Sequence, residues 1–155
     1  MACLGALSIA RAASPSFSPW RFDAYKAPSG KNYCSLISAV ANKNIGQNVV
    51  IKMPKGGEHL VVDLYKDQWN RPRGSAVKVM FDFANNNTMQ LVAYADAHIL
   101  DVEIPVQYTA DFLLELSRQP VLQAIFPDEG EDTWTITGSG AKPEVQKFVA
   151  CLRSK

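Results

Sequence analysis

The residue types that most often carry out chemistry are few and scattered in this sequence. The two histidines, His59 and His98, have no cysteine or second histidine at the spacing of a zinc site. A zinc ion needs three or four ligands of this kind, so we expect no metal and no other cofactor. Each histidine is interpreted as a surface or hydrogen-bonded residue of a strand.

Ser139 is the one serine in a setting that resembles a catalytic turn. It lies between Gly138 and Gly140, but the G-x-S-x-G pattern of a nucleophile elbow is absent. We interpret Ser139 as a helix-cap residue. A serine nucleophile is one alternative, and an anion held by backbone N–H groups at the start of the helix is another.

Acidic residues on predicted strands and strand ends offer a second route to catalysis. Paired carboxylates perform acid and base steps in many hydrolases, although strands with one solvent face carry such residues routinely. The sequence does not bring any two of them to a fixed separation, so no catalytic residue is assigned. The residues concerned are Asp63, Asp82, Asp96, Asp101 and Glu103.

Two loop segments are candidates for binding. The acidic stretch 128–132 lacks the ordered ligand spacing of a calcium loop, and it is interpreted as a solvated hairpin tip. Trp69 lies in the loop 67–74 with Arg71 and Arg73, where an aromatic ring beside two cations is typical of a binding anchor. The alternative is that Trp69 folds back as a lid on the core.

Composition places the chain among ordinary globular proteins. Its 155 residues are 47% hydrophobic and 20% charged, which is typical of one domain with a real core. Sixteen basic and 15 acidic residues give a formal net charge of +1. Nucleic-acid binders of this size carry a basic excess or stripe, so we expect no nucleic-acid partner.

The N-terminal residues have the pattern of a secretory signal. An apolar run over 3–10 is followed by Ala10-Arg11-Ala12, the small-x-small pattern that a signal peptidase recognises. The run is too short to span a membrane as a helix. We therefore interpret 1–12 as the remnant of a signal peptide, 13–18 as a flexible lead-in and 19–155 as a single domain, in a periplasmic or secreted protein. The alternative is the apolar N-terminus of a cytosolic protein.

Cysteine usage agrees with export. Cleavage after Ala12 would remove Cys3 and leave Cys34 and Cys151. Two cysteines in an exported chain predict one disulfide between them. Two separate buried thiols remain the alternative.

The hydrophobic pattern is dominated by alternation with a period of two residues. Seven short strands are predicted first, and two more follow a helix; turn residues such as Asn85, Asn86 and Asn87 separate them. Two short helices are predicted at about 107–119, with Thr109 as the N-cap, and 142–153. We therefore predict a mainly β fold, an antiparallel sandwich or barrel-like meander with two α-helices. The nine strands are predicted at 20–25, 33–41, 47–53, 59–65, 76–83, 88–94, 98–104, 121–126 and 133–137.

The arrangement of these elements resembles the invasion-associated locus B family of bacterial periplasmic proteins. The features that carry the resemblance are Trp20, Cys34, the stretch 63–69, the segments 112–116 and 121–126, and the ending 134–138 that leads into 145–152. The resemblance implies an exported β-sandwich-like protein linked to the envelope or to a host. It supplies no established catalytic residues.

Two functional hypotheses follow from these observations. The first is an exported, non-enzymatic binding protein whose partner is an unknown protein or envelope component, with Trp69, Arg71 and Arg73 as binding residues. The second is a small hydrolase that uses strand carboxylates or Ser139.

Overall fold

The computed structural model describes residues 20–39 and 46–155, which form one curled antiparallel sheet and two helices. The proposed signal remnant 1–12 and lead-in 13–18 lie outside the described residues. Nine strands occur in the described part: β1 Arg21–Lys26, β2 Asn32–Ala39, β3 Gln47–Pro54, β4 Leu60–Lys66, β5 Ala76–Phe83, β6 Thr88–Asp96, β7 Ile99–Ile104, β8 Val121–Ile125 and β9 Trp134–Thr137. The helices are α1 Thr109–Arg118 and α2 Ala141–Arg153.

The nine strands are ordered β1-β2-β3-β4-β7-β6-β5-β8-β9 across a half-barrel. Every neighbouring pair is antiparallel. The predicted mainly β, antiparallel fold with two helices is therefore confirmed, in its barrel-like form. The second predicted strand was given the range 33–41, and residues 40–41 lie outside the described part.

Alternation along the strands builds the core, because successive side chains point to opposite faces of a sheet. In β3, for example, Val49 and Ile51 are fully buried, while Val50 and Lys52, which alternate with them, are only half-buried. The helices cover the inner face: the Phe112 ring of α1 packs edge-on against Phe81 and Phe83 of β5. The inner face thus forms a single core. Its members on the strands include Leu36, Val62, Leu64, Val79, Leu100, Val102, Leu122 and Ile136.

The predicted turns adopt the backbone that their residues favour. Asn86 has a φ of 64°, the left-handed conformation that asparagine tolerates, and the Asn85 side chain accepts a hydrogen bond from the Asn87 N–H at 3.1 Å. At the β3–β4 turn, Gly56 has a φ of 70° and the Gly57 N–H donates to the Pro54 carbonyl at 2.9 Å. These turns set the hairpin registers that place alternate side chains inside.

The predicted helix caps are wrong at both helices. A short 3-10 turn, Val106–Tyr108, leads straight into α1, so Thr109 already has helical backbone angles (φ −59°, ψ −48°) and Tyr108 is the N-cap. At α2 the N-cap is Gly140, with a φ of 74°, and Ser139 is exposed before it. Neither helix has a side-chain hydrogen bond at its N-cap. In both places the backbone of the preceding turn fixes the start of the helix.

The predicted disulfide joins Cys34 of β2 to Cys151 of α2, with the two Cα atoms 6.1 Å apart. Cys34 faces the core and is fully buried. Cys151 lies three residues after Phe148, which is also fully buried, so both side chains lie on the face of α2 that contacts the sheet. The bridge therefore fixes the last helix to the second strand.

Reduction of this disulfide should destabilise the fold strongly. The bridge joins residues 117 apart in sequence, and the chain-entropy model gives about 3–5 kcal/mol for a loop of this size. Urea unfolding with and without dithiothreitol measures the loss, and the double variant C34S/C151S is the control. Its unfolding midpoint should lie near that of the reduced wild type and should not respond to dithiothreitol. An unchanged midpoint in the reduced wild type would contradict the expectation.

Candidate functional site

Trp69, the aromatic residue of the predicted binding loop, lies in the core. Its side chain is buried, and its ring stacks on that of Trp134 with the ring centres 5.3 Å apart. Phe126 packs edge-on against both tryptophans, at 6.1 and 5.7 Å. Of the two alternatives for this residue, the structure thus shows the one in which Trp69 folds back onto the core.

Glu131 of the acidic turn connects this aromatic cluster to the loop. Its carboxylate accepts hydrogen bonds from Trp134 Nε1 at 3.1 Å, Trp69 Nε1 at 3.3 Å and Lys66 Nζ at 2.6 Å. Burial opposes its ionisation, but the hydrogen bonds from Lys66 and the two indoles outweigh burial and hold the pKa below its usual value. The prediction of a solvated hairpin tip is therefore wrong for Glu131, because the two indole N–H groups need a buried acceptor.

The two arginines of the same loop differ from each other. Arg71 is paired with Glu129, and its guanidinium carbon lies 5.0 Å from the centre of the Trp69 ring. Arg73 is exposed, and its Nε lies 3.8 Å from a carboxylate oxygen of Asp96. Of the three predicted binding residues, only Arg73 is open to solvent.

Two of the strand carboxylates are brought together. Asp63 of β4 and Asp101 of β7 are direct cross-strand partners, and Lys52 of β3 donates a hydrogen bond to Asp63 Oδ2. Asp63 is 8% exposed, whereas Asp101 is exposed. Burial and a hydrogen bond with Asp101 raise the pKa of Asp63 to about 7, against the opposing effect of Lys52. Asp63 is therefore a strand carboxyl whose pKa lies near neutral pH.

The other carboxylates considered for catalysis are dispersed. Glu103 Oε1 lies 2.9 Å from His59 Nδ1, and both side chains are exposed. Asp96 lies beside Arg73, and Asp82 is the cross-strand partner of Gln123. Within the described residues, no group of three or more histidine, cysteine or acidic side chains is placed to hold a metal ion.

Ser139 is not part of a catalytic constellation in the described part of the chain. Its backbone N–H donates to Thr137 Oγ1 at 3.1 Å. His59 pairs with Glu103, and the His98 ring lies against Tyr65, so neither histidine is engaged with Ser139. The groups that activate a nucleophilic serine are therefore not assembled around it.

An apolar groove lies between the two helices. Its volume is about 670 Å³, within the range of small-molecule sites. Leu113 and Leu114 of α1 form one wall, and Val145, Val149 and Leu152 of α2 form the other. The remaining lining residues are Met53, Gly57, Glu58, Val106, Thr109, Ala110, Ser117 and Arg153.

Apolar side chains are left exposed in this groove. Val106 is 59% exposed and Leu114 is 41% exposed, although both are large aliphatic residues. The sequence signal was the run Phe112-Leu113-Leu114, since three consecutive apolar residues on a helix cannot all face one core. Phe112 and Leu113 are buried, so Leu114 is the member of this run that is left exposed.

Comparison with protein-family models, curated protein sequences and solved structures finds no match to this chain. In the described residues, neither helix has the length and apolar character needed to cross a membrane.

The carboxyl pair predicts a pH dependence of stability. The pKa of Asp63 in the folded chain, about 7, lies above the ordinary value near 3.9 of an unfolded aspartate, so the folded chain binds this proton more tightly. The resulting stabilisation is complete below the unfolded pKa and is lost as the pH rises through about 7. We expect the free energy of unfolding to fall by on the order of 1–3 kcal/mol between pH 5 and pH 8 from this group alone.

Urea unfolding at pH 5, 6, 7 and 8 measures this loss. D63N should remove most of the pH dependence, because the amide does not titrate. D82N, at a half-buried carboxyl on β5, is the matched control. Its free energy of unfolding should change with pH as steeply as that of the wild type. Equal slopes in D63N and the wild type would rule out Asp63 as the source.

Proposed function

We propose that this chain is an exported, non-enzymatic binding protein whose binding surface is the groove between α1 and α2. The proposal depends on the apolar lining of this groove, in which Val106 and Leu114 are exposed to solvent. Exposed apolar surface of this kind is unfavourable in water unless a ligand covers it.

The occupant we propose is a small amphiphile with a single hydrocarbon chain. Protein interfaces use roughly 20–30 residues on each side, whereas 13 residues line this groove. Most of the lining is aliphatic, which suits a hydrocarbon chain. The polar side chains among the lining residues are few, which suits a ligand with one polar end.

Export is supported by the disulfide and by the signal-like residues 1–12. Disulfides persist in oxidising compartments and are rare in the cytosol, and the Cys34–Cys151 pair lies at bonding distance. The relation to the invasion-associated locus B family remains part of this proposal. It is supported by the arrangement of the elements alone.

The compartment is tested by thiol labelling in an intact bacterial host. A mass-shift alkylating reagent is added with and without reductant, and the N-terminus of the product is sequenced. We expect Cys34 and Cys151 to react only after reduction, and the N-terminus to begin near Ala13. Free thiols on a chain that still carries residues 1–12 would overturn the export proposal.

The binding surface is tested by calorimetric titration with dodecanoate below its micellar concentration. L114E places a charge in the wall of the groove and should weaken binding at least tenfold, because the hydrocarbon chain would then have to desolvate a carboxylate. Leu114 is partly exposed, so the variant should fold, which circular dichroism verifies.

V92E provides the matched control. Val92 is also a large exposed aliphatic residue, 48% exposed, but it lies on β6 away from the residues that line the groove. V92E should bind dodecanoate like the wild type. Equal losses in V92E and L114E, or no binding by the wild type, would contradict the proposal.

A further inference from the structure

A second recess continues the groove towards the C-terminal end of α1 and the N-terminal end of α2. It has a volume of about 520 Å³ and shares Leu114, Ser117 and Val145 with the groove. Its remaining lining residues are Arg118, Lys142 and Gln146. The apolar groove therefore opens at this end onto a recess lined by two cations.

Neither cation is neutralised within the described part of the chain. Arg118 and Lys142 are both exposed, and neither takes part in an ion pair there. No acidic side chain lines the recess. Two uncompensated cations beside an apolar surface make this end of the groove electropositive.

The nearest acidic residues on the same helices are already engaged elsewhere. Glu144 accepts hydrogen bonds from the Phe22 N–H and from Lys147 Nζ, each at 2.7 Å. Glu115 accepts hydrogen bonds from the amides of Asn85 at 2.8 Å and Gln119 at 3.0 Å. These contacts hold both carboxylates without any contribution from Arg118 or Lys142.

The position of Lys142 adds a second electrostatic reason for an anion. It is the second residue of α2, in the first turn, where the positive end of the helix dipole disfavours a cation and favours an anion. An anionic group between Lys142 and Arg118 would relieve this repulsion. It would also form charge-assisted hydrogen bonds with both side chains.

The opposite end of the groove is less suited to an anion. Arg153 and Glu58 both line this end, so its one cation is offset by a carboxylate. The charge distribution thus gives the groove a direction, with its electropositive end at Arg118 and Lys142.

We infer that the ligand of this groove is an anionic single-chain amphiphile, with its chain between α1 and α2 and its headgroup held by Arg118 and Lys142. This inference rests on the proposed function, because it names the ligand class of the same groove. The ligand is taken up as a free monomer, because the volume of the groove is that of a small-molecule site.

The test compares dodecanoate with dodecanol, which has the same chain and a neutral head, on the full chain with its disulfide intact. The wild type should bind dodecanoate at least tenfold more tightly than dodecanol, and added salt should reduce the preference. The double variant R118Q/K142Q should lose the preference while binding dodecanol like the wild type. K26Q/K31Q, which removes two exposed cations that line neither the groove nor the recess, should keep the preference.

Each failure has a separate meaning. Equal affinities of the wild type for the two ligands would overturn the headgroup inference and leave the proposed function standing. Loss of the preference in K26Q/K31Q would also overturn it, because the preference would then follow the net charge of the chain and not the two cations of the recess. Binding of neither ligand would overturn the proposed function as well. Binding only to vesicles of phosphatidylglycerol would overturn the assignment to a free monomer.

Discussion

The fixed attachment of α2 to the first strands is the constraint on which the rest of this structure depends. A half-barrel leaves two open edges, and exposed strand edges must be covered. Here the Cys34–Cys151 disulfide holds α2 on β2, and the Glu144 carboxylate accepts the edge N–H of Phe22 on β1 at 2.7 Å. Trp20 Nε1 donates to the Thr137 carbonyl at 3.0 Å. This hydrogen bond joins the residue before β1 to the last residue of β9, the other edge strand.

The position of α2 in turn creates the candidate binding surface. With Phe148 and Cys151 directed at the sheet, Val149 and Leu152 face α1 across the groove. The other wall is fixed independently, because Phe112 anchors α1 on β5. Each helix therefore has its own attachment to the sheet, and the groove is the gap that these two attachments leave. A pre-formed gap of this kind needs no ordering of the protein when a ligand binds.

Local patterns in the sequence were enough for the strands and the hairpin turns, and the disulfide followed from the number of cysteines in a chain taken to be exported. The alternation of buried and exposed side chains can be seen within each strand alone. Asparagine tolerates the left-handed conformation that Asn86 adopts in any turn. The order of the strands was not predictable, because β4 pairs with β7 and β5 with β8 across long stretches of sequence. For this reason the Asp63–Asp101 pair and the hydrogen bonds from Lys66 and Trp69 to Glu131 were missed. The groove was missed because Leu114 forms a wall of it only when α2 lies opposite α1.

The central claim, that the groove between α1 and α2 is the binding surface, is tested most directly by chemical-shift mapping. Dodecanoate is titrated into the isotopically labelled chain and the backbone amide signals are followed. The shifted signals should cluster at Ala110, Leu114, Ser117 and Val149, on the two walls of the groove. Shifts centred instead on Tyr94 and Asp101 of the outer sheet face, or on the loop around Arg73, would contradict it.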